Sequence, residues 1–260
     1  MLKLKELSDI VQKIAPLSLS QAMIDKGDYD NSGIIVHSHD QVKKILFSLD
    51  LSSACVDEAI RVGADTVITH HPAIYNPVKN LCIDGQNKAL LRAIQQGLNV
   101  ISMHLNLDVA DGGIDQSLCE GLGGKQSQII QSLDQTHGYG RLFLVQKADL
   151  KEFTCTIEKN FKTKKIICYG DGQVNKVASF CGGGASHALD SVINGIDADT
   201  IVTSDASHHH ITGIVESGKK LIIIPHYASE NYGFNKFYAK TSFNVGERAQ
   251  TFYFEDIRFM

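Results

Sequence analysis

Short apolar runs alternate along the chain with longer stretches whose apolar residues repeat at helical spacing. The short runs predict β-strands and the longer stretches predict helices, as in βα units around a parallel or mixed sheet. The predicted strands are residues 33–36, 45–49, 66–69, 100–103, 142–145, 166–168, 176–180, 200–203 and 221–224. Helices are predicted at the N-terminus and over residues 52–63, 87–97 and 208–218. The pattern therefore predicts an α/β fold.

Two segments of the chain resemble each other. Residues 64–71 are ADTVITHH and residues 198–205 are ADTIVTSD. Each copy is followed by a predicted helix, a second predicted strand and a histidine four positions before an acidic residue. Two copies of this order predict two related α/β lobes, a pseudo-duplicated architecture.

The predicted lobes are residues 1–125 and residues 126–260. The polar, glycine-containing stretch over residues 125–138 favours a boundary there. If the lobes are true repeats, Thr69 and Thr203 should end equivalent strands. His104 should then superpose on His226, and we expect both segments to lie in one sheet.

The repeated segments carry side chains that bind metals. His70 and His71 end a predicted strand before Pro72, where neighbouring imidazoles that diverge can each serve a different cation. His226 and Glu230 share a face if a helix begins after Pro225. A lone strand-end histidine is usually a packing residue, and one such His–Glu pair usually lies on a surface.

The combination in a repeat favours a metal centre over those simpler explanations. The candidate ligands are His70, His71, Asp108, His226 and Glu230. Two divalent cations would carry about +4 and the two carboxylates only −2, so the centre would attract an anion such as phosphate. A glutamate that bridges two cations is the usual arrangement for hydrolysis. Imidazole and carboxylate suit Zn, Fe, Mn and Ni alike.

Composition and charge exclude other classes. The formal net charge is −4 and the basic residues are dispersed, which argues against nucleic-acid binding. No apolar run approaches the roughly 20 residues of a membrane span, and the N-terminal stretch lacks the apolar core of a signal peptide. The six cysteines form no CxxC pair. These features predict a cytoplasmic protein with reduced thiols.

Six motifs resemble those of the GTP cyclohydrolase I type 2 homologue family, also called NIF-three-like. They are DNSG (30–33), ITHHP (68–72), HLNLD (104–108), CGGGAS (181–186), SDASHH (204–209) and HYASE (226–230). The resemblance implies a NIF-three-like fold, a di-metal site built from the five candidate ligands, and a toroidal homohexamer around an inner cavity. One departure is Ser204, where many relatives have glycine at a turn.

The resemblance also implies an activity, the opening of the GTP imidazole ring with loss of formate. We therefore expect a metal-dependent hydrolase that acts on a nucleotide or another anionic, phosphorylated small molecule. His104 is a candidate proton carrier or sixth ligand, and His208 and His209 are candidates to orient ligands or bind substrate. The alternative is a non-enzymatic metal-binding or interaction protein, such as a metal carrier or regulatory scaffold.

Overall fold

The computed structural model describes residues 2–183 and 195–260. The chain is a mixed α/β protein that divides into two compact units. The first unit is Met1–Ala110 with Phe234–Asp256, and the second is Asp111–Gly233 with Ile257–Met260. These units differ from the predicted lobes, because the chain returns to the first unit after residue 233. The expected linker at residues 125–138 is instead largely occupied by two paired strands.

The strands of the described residues are β1 (Leu2–Lys3), β2 (Gly33–Val36), β3 (Gln41–Val42), β4 (Lys44–Ser48), β5 (Thr66–Thr69), β6 (Asn99–Ser102), β7 (Lys125–Ser132), β8 (Gly138–Asp149), β9 (Ile167–Tyr169), β10 (Gln173–Ser179), β11 (Thr200–Thr203), β12 (Lys220–Ile223) and β13 (Gln250–Phe254). The helices are α1 (Leu4–Gln12), α2 (Leu17–Ile24), α3 (Ser53–Val62), α4 (Lys88–Gln95), α5 (Leu105–Val109), α6 (Ile114–Gly121), α7 (Leu150–Phe161), α8 (His208–Glu216) and α9 (His226–Val245). No helix in these two ranges is both long enough and apolar enough to cross a membrane.

The main sheet of the first unit has the strand order β13-β4-β5-β6-β2. All neighbours are parallel except β2, which runs antiparallel to β6 at one edge. Every residue of β5 and β6 is buried, as expected for parallel strands covered on both faces. On one face, Leu46, Val67 and Val100 pack with apolar residues of α3 and α4.

The sheet of the second unit has the order β7-β8-β10-β11-β12-β9. Strands β10, β11 and β12 are parallel, whereas β8 and β9 run antiparallel to their neighbours in this central group. Helix α7 is capped by Asp149, whose side chain accepts a hydrogen bond from the Lys151 N–H, and the helix buries Phe153, Ile157 and Phe161.

The parallel group β4-β5-β6 has a counterpart in β10-β11-β12 with the same register. Ile45 lies opposite Thr66, and Val177 lies opposite Thr200. Thr69 and Thr203 each end the central strand of their group, which confirms that part of the duplication. The expectation that both segments share one sheet is wrong, because each copy forms the centre of a sheet of its own.

In each copy one aspartate, here called the bracket aspartate, accepts hydrogen bonds from two consecutive backbone N–H groups of the neighbouring strand. These bonds set the register. Asp65 Oδ2 accepts from the backbone N–H groups of Lys43 and Lys44, at 2.8 and 3.1 Å. Asp199 Oδ2 does the same for the N–H groups of residues 175 and 176, at 3.1 and 2.7 Å. The hydroxyl of the threonine that follows each aspartate donates to its other oxygen. The repeat is therefore visible in matched side-chain contacts as well as in sequence.

The expected superposition of His104 on His226 is wrong by one position. The Met103 N–H donates to Thr69 O and the Ile224 N–H donates to Thr203 O, both at 2.9 Å. These matched bonds align His104 with Pro225, so His226 lies one residue further along its copy. The extra residue allows His226 to begin α9, whereas His104 precedes α5.

Replacing either bracket aspartate with alanine should leave two backbone N–H groups without their acceptor. We expect Asp65→Ala and Asp199→Ala each to lower the free energy of unfolding by about 1–3 kcal/mol. Urea denaturation followed by circular dichroism would measure both. Asp197→Ala is the control, since that side chain is 93% exposed and should change stability little. Bracket variants as stable as this control would contradict the assignment.

The effect of Asp199 should depend on pH. Burial alone would raise the pKa of Asp199, but the Thr200 hydroxyl and the Lys176 N–H hold it below its usual 3.8. Because the pKa of Asp199 is lower in the folded than in the unfolded protein, its stabilisation is complete above the pKa of the unfolded state. The stabilisation is lost as the pH falls through the pKa of the folded state. The difference between wild type and Asp199→Ala should therefore shrink below about pH 4.

Candidate metal centre

In the first unit, the shared register of β4, β5 and β6 brings the residues after each strand side by side. Asp50 follows β4, His70 and His71 follow β5, and His104 follows β6. Because parallel strands end at one edge of a sheet, these side chains form one cluster. The ring centroids of His70 and His71 are 4.9 Å apart, and those of His70 and His104 are 5.4 Å apart.

The close placement of the His70 and His71 rings has a cause in the backbone. Strand β5 ends at Thr69, so the alternation of a pleated strand does not extend to the two histidines. The backbone N–H groups of both histidines donate to the same acceptor, Leu49 O, at 3.1 and 3.0 Å. This shared acceptor holds the two residues at one strand end with their rings close together.

His70 is fully buried, and its two ring nitrogens face different groups. Nδ1 lies 2.7 Å from Met103 O, so Nδ1–H donates to that carbonyl. Nε2 lies 3.3 Å from Oδ1 of Asp108, which is 5% exposed in α5. Two atoms bound to one cation at about 2.0–2.1 Å and at right angles lie about 3 Å apart, so this pair has the spacing of two ligands.

The other two imidazoles of the first unit are held by carboxylates. His71 Nδ1 donates to Asp50 Oδ1 at 2.7 Å, and His104 Nδ1 donates to Asp30 Oδ1 at 2.8 Å. Burial alone would raise the pKa of Asp30, but hydrogen bonds from His104 and two serine hydroxyls hold it below its usual value. Asp30 is thus an ionised acceptor, which fixes the tautomer of His104 and leaves Nε2 as the basic nitrogen.

In the second unit, α9 begins at His226 and places Glu230 one turn later, as predicted. His226 Nε2 lies 3.1 Å from Glu230 Oε1, and its Nδ1 lies 2.8 Å from Asp205 Oδ2. Burial alone would lower the pKa of His226, but the Glu230 and Asp205 carboxylates raise it to about 10. The same negative field that holds this proton would favour a metal cation.

Gly182 lets the backbone approach these two side chains. Its φ is +55°, in the left-handed region that favours glycine. A Cβ at this position would overlap Glu230 Oε1 and lie 3.2 Å from His226 Nε2. The second unit therefore has a narrow space between the strand end and α9 that only glycine fits.

Sequence reasoning missed the three carboxylates that orient the imidazoles. Asp30 and Asp205 lie in the DNSG and SDASHH motifs, so the motifs were available as a signal, but neither residue was assigned a role. Asp50 has no comparable signal, because only the strand register brings it to His71. For Cys181 the sequence predicts only a reduced thiol, yet its Sγ lies within 4.8 Å of a Glu230 carboxylate oxygen.

Other predicted site residues have structural contacts. Ser204, the departure from the family turn, hydrogen-bonds through Oγ to Ser229 Oγ at 2.7 Å, which ties the end of β11 to α9. His208 is exposed, and His209 Nδ1 lies 3.1 Å from Ser207, the residue that caps α8. Their roles in substrate binding stay predictions.

The family model for Duf34/NIF3 (NGG1p interacting factor 3) matches residues 2–255, almost the whole chain. The chain belongs to the Duf34/NIF3 family. This confirms the resemblance seen in the six motifs. A family relative from Clostridium acetobutylicum, named GTP cyclohydrolase 1 type 2 homolog, is 30% identical over 88% of this chain and 85% of its own length.

Solved Duf34/NIF3 structures have the same fold. A Bacillus cereus protein related to NIF3 superposes with a TM-score of 0.83 at 17% identity, over 97% of this chain and 96% of that one. Reduced HcgD from Methanocaldococcus jannaschii superposes with a TM-score of 0.79 at 26% identity, over 97% of each chain. The predicted NIF-three-like fold is therefore confirmed.

Substituting Gly182 tests the close approach. Gly182→Ala should be clearly more destabilising than Gly218→Ala, since both glycines have positive φ but a Cβ at Gly218 would meet nothing within 4 Å. The backbone strain common to both variants costs about 1–2 kcal/mol, and overlap with a buried carboxylate should add about 1–3 kcal/mol at Gly182. Denaturant midpoints would measure the difference, and equal midpoints would contradict the overlap.

Proposed function

We propose that this Duf34/NIF3 protein is a metal-dependent hydrolase of a nucleotide or another phosphorylated small molecule. In this proposal two divalent cations are held by His70, His71, Asp108, His226 and Glu230.

The observation that carries the proposal is how the histidines are held. Each of four imidazoles donates its Nδ1–H to a carbonyl or carboxylate at 2.7–2.8 Å. This arrangement leaves Nε2 as the ring nitrogen that can bind a cation once it carries no proton, as in most protein metal sites. In each unit one such Nε2 also lies 3.1–3.3 Å from a buried carboxylate oxygen. A histidine that only packed in a core would also need an acceptor for its N–H group, but it would not need a carboxylate oxygen beside the other ring nitrogen.

The residues fit divalent cations because the donor set contains deprotonated oxygen and neutral nitrogen atoms. When bound, two such cations would polarise a phosphoryl or ring carbon electrophile and activate water. Glu230 would serve as a shared carboxylate ligand of the centre. His104, with Nδ1 fixed by ionised Asp30, would accept or deliver a proton at Nε2.

The orienting carboxylates change the charge expected for the centre. If only the ligands are counted, two divalent cations and two carboxylates have a net charge of about +2. Asp30, Asp50 and Asp205 each lie directly behind an imidazole and offset that excess when ionised. An anionic substrate would therefore be bound by direct coordination and short contacts, with little help from a long-range positive field.

The second candidate is a non-enzymatic metal-binding protein, such as a metal carrier or regulatory scaffold. The same donor sets support it, because they account for cation binding without any substrate contact. The two candidates differ in whether a substrate is turned over.

Cytoplasmic localisation and a homohexamer remain part of the proposal. None of the six cysteines forms a disulfide, which supports a reducing compartment. The family resemblance implies the hexamer, so light scattering should give a mass near six times 28.5 kDa. A monomeric mass at working concentration would contradict it.

Metal content tests the two-cation centre. We expect two cations per chain, with Glu230→Ala lowering occupancy at both positions and His71→Ala mainly at one. Elemental analysis and anomalous scattering would measure this. His37→Ala is the control, since His37 is an exposed histidine of the first unit paired only with Asp40 nearby. A single cation, or equal losses in the His37 variant, would count against the centre.

Turnover separates the two candidate functions. Metal-loaded protein should release formate or phosphate from GTP or another member of a nucleotide panel. Glu230→Gln should abolish this release, because the amide removes a ligand charge while keeping the side chain's size. Tight metal binding with no turnover across the panel would favour the non-enzymatic candidate.

A further inference from the structure

One buried thiol lies next to the donor set of the second unit. Cys181 comes two residues after β10 and is 1% exposed. Its Sγ lies within 4.8 Å of a Glu230 carboxylate oxygen. A thiolate and a carboxylate bound to one tetrahedral cation, at about 2.3 and 2.1 Å, are separated by about 3.6 Å. A small movement of either side chain would therefore allow the thiol and Glu230 to bind one cation.

The backbone of Cys181 is fixed from both sides. Its N–H donates to Asp115 Oδ1 at 3.3 Å, and its carbonyl accepts from the Tyr139 hydroxyl. Asp115 is fully buried and is itself held by Arg141 Nε at 3.2 Å. A buried ion pair and a buried tyrosine thus hold one strand-end cysteine, as outer partners hold metal ligands in other proteins.

The next residue brings this backbone close to the other donors. Gly182 allows an approach to Glu230 and His226 that any Cβ would prevent. Within the second unit, the Cys181 thiol and the His226 imidazole therefore each lie near the Glu230 carboxylate.

Comparison of the two repeats shows that the thiol is specific to the second copy. The matched registers align Cys181 with Leu49, a buried apolar residue. They also align Ser204 and Asp205 with His70 and His71, so the second copy lacks the adjacent imidazoles of the first. The second copy has a soft sulfur donor at its strand end where the first has two imidazoles nearby.

We infer that Cys181 is a metal ligand, which binds through Sγ in the second unit together with Glu230. This inference rests on the proposed cation binding. Binding converts the thiol to a thiolate and releases its proton to solvent. A thiolate selects borderline or soft cations, such as zinc, iron or cobalt, over magnesium or manganese.

Cobalt spectroscopy tests the inference directly. The three exposed cysteines, Cys82, Cys155 and Cys168, are first replaced by serine to remove adventitious thiol sites. Metal-free protein loaded with Co²⁺ should then show near-ultraviolet absorption from thiolate-to-cobalt charge transfer. Cys181→Ser should lose this band while it still binds cobalt.

Cys119→Ser is the matched control, because Cys119 is also buried in the second unit. Among the described residues, Cys119 belongs to no group of side chains placed to hold a metal ion, whereas Cys181 lies beside Glu230. This variant should keep the band. A band that survives in Cys181→Ser, or cobalt binding by the parent protein without any band, would overturn the inference.

Two further measurements do not depend on one variant or on activity. X-ray absorption of the cobalt-loaded parent should show a sulfur neighbour at about 2.3 Å. In Cys181→Ser the preference for Cd²⁺ over Mn²⁺ should fall by at least roughly 10-fold. Loss of a residue that only hydrogen-bonds a metal ligand typically has an effect of that size. Failure to bind cobalt at all would refute the proposed function, whereas binding without sulfur would refute only the role of Cys181.

Discussion

The register of three parallel strands is the constraint on which each unit depends. A bracket aspartate at the start of the central strand, Asp65 or Asp199, binds two consecutive N–H groups of the neighbouring strand. A slip of one residue would break those bonds and turn every side chain to the other face of the sheet. Because the register is fixed at the start of the strands, the residues that follow their ends are also fixed relative to one another.

The two copies use this common frame differently. In the first, the position after Leu49 is Asp50, whose carboxylate binds His71. In the second, the corresponding position is Gly182, and the space that a side chain would occupy is taken by Glu230 from α9. His226 lies one residue beyond the position that matches His104 in the first copy, and it begins α9. Glu230 therefore follows one turn later on the same side of the helix as His226. One copy thus provides mainly imidazoles from strand ends, and the other provides a helix-borne imidazole and carboxylate.

Most of the parallel core could be predicted from sequence, because buried strands are short, continuous apolar runs. Residues 33–36, 66–69 and 200–203 form strands with the predicted bounds. The sequence KQSQIIQS of β7 is mostly polar and half-exposed, so it resembles a linker. Strand β13 pairs with β4 across about 200 residues of chain, a non-local contact with no local signal. The unit boundaries were missed for the same reason.

Burial makes the acidic side chains of these donor sets depend on a positive partner. Asp108 is 5% exposed and Glu230 is 2% exposed, and a buried carboxylate without a counter-charge is strongly destabilising. An imidazolium can meet this need, which is why the pKa of His226 rises to about 10 beside Glu230 and Asp205. In the proposed function a divalent cation would meet it better, because it would carry more charge and would bind Nε2 and the carboxylate oxygen at once. Cation uptake would then displace a proton from His226, so that metal binding, proton release and the stability of the buried carboxylates form a single equilibrium.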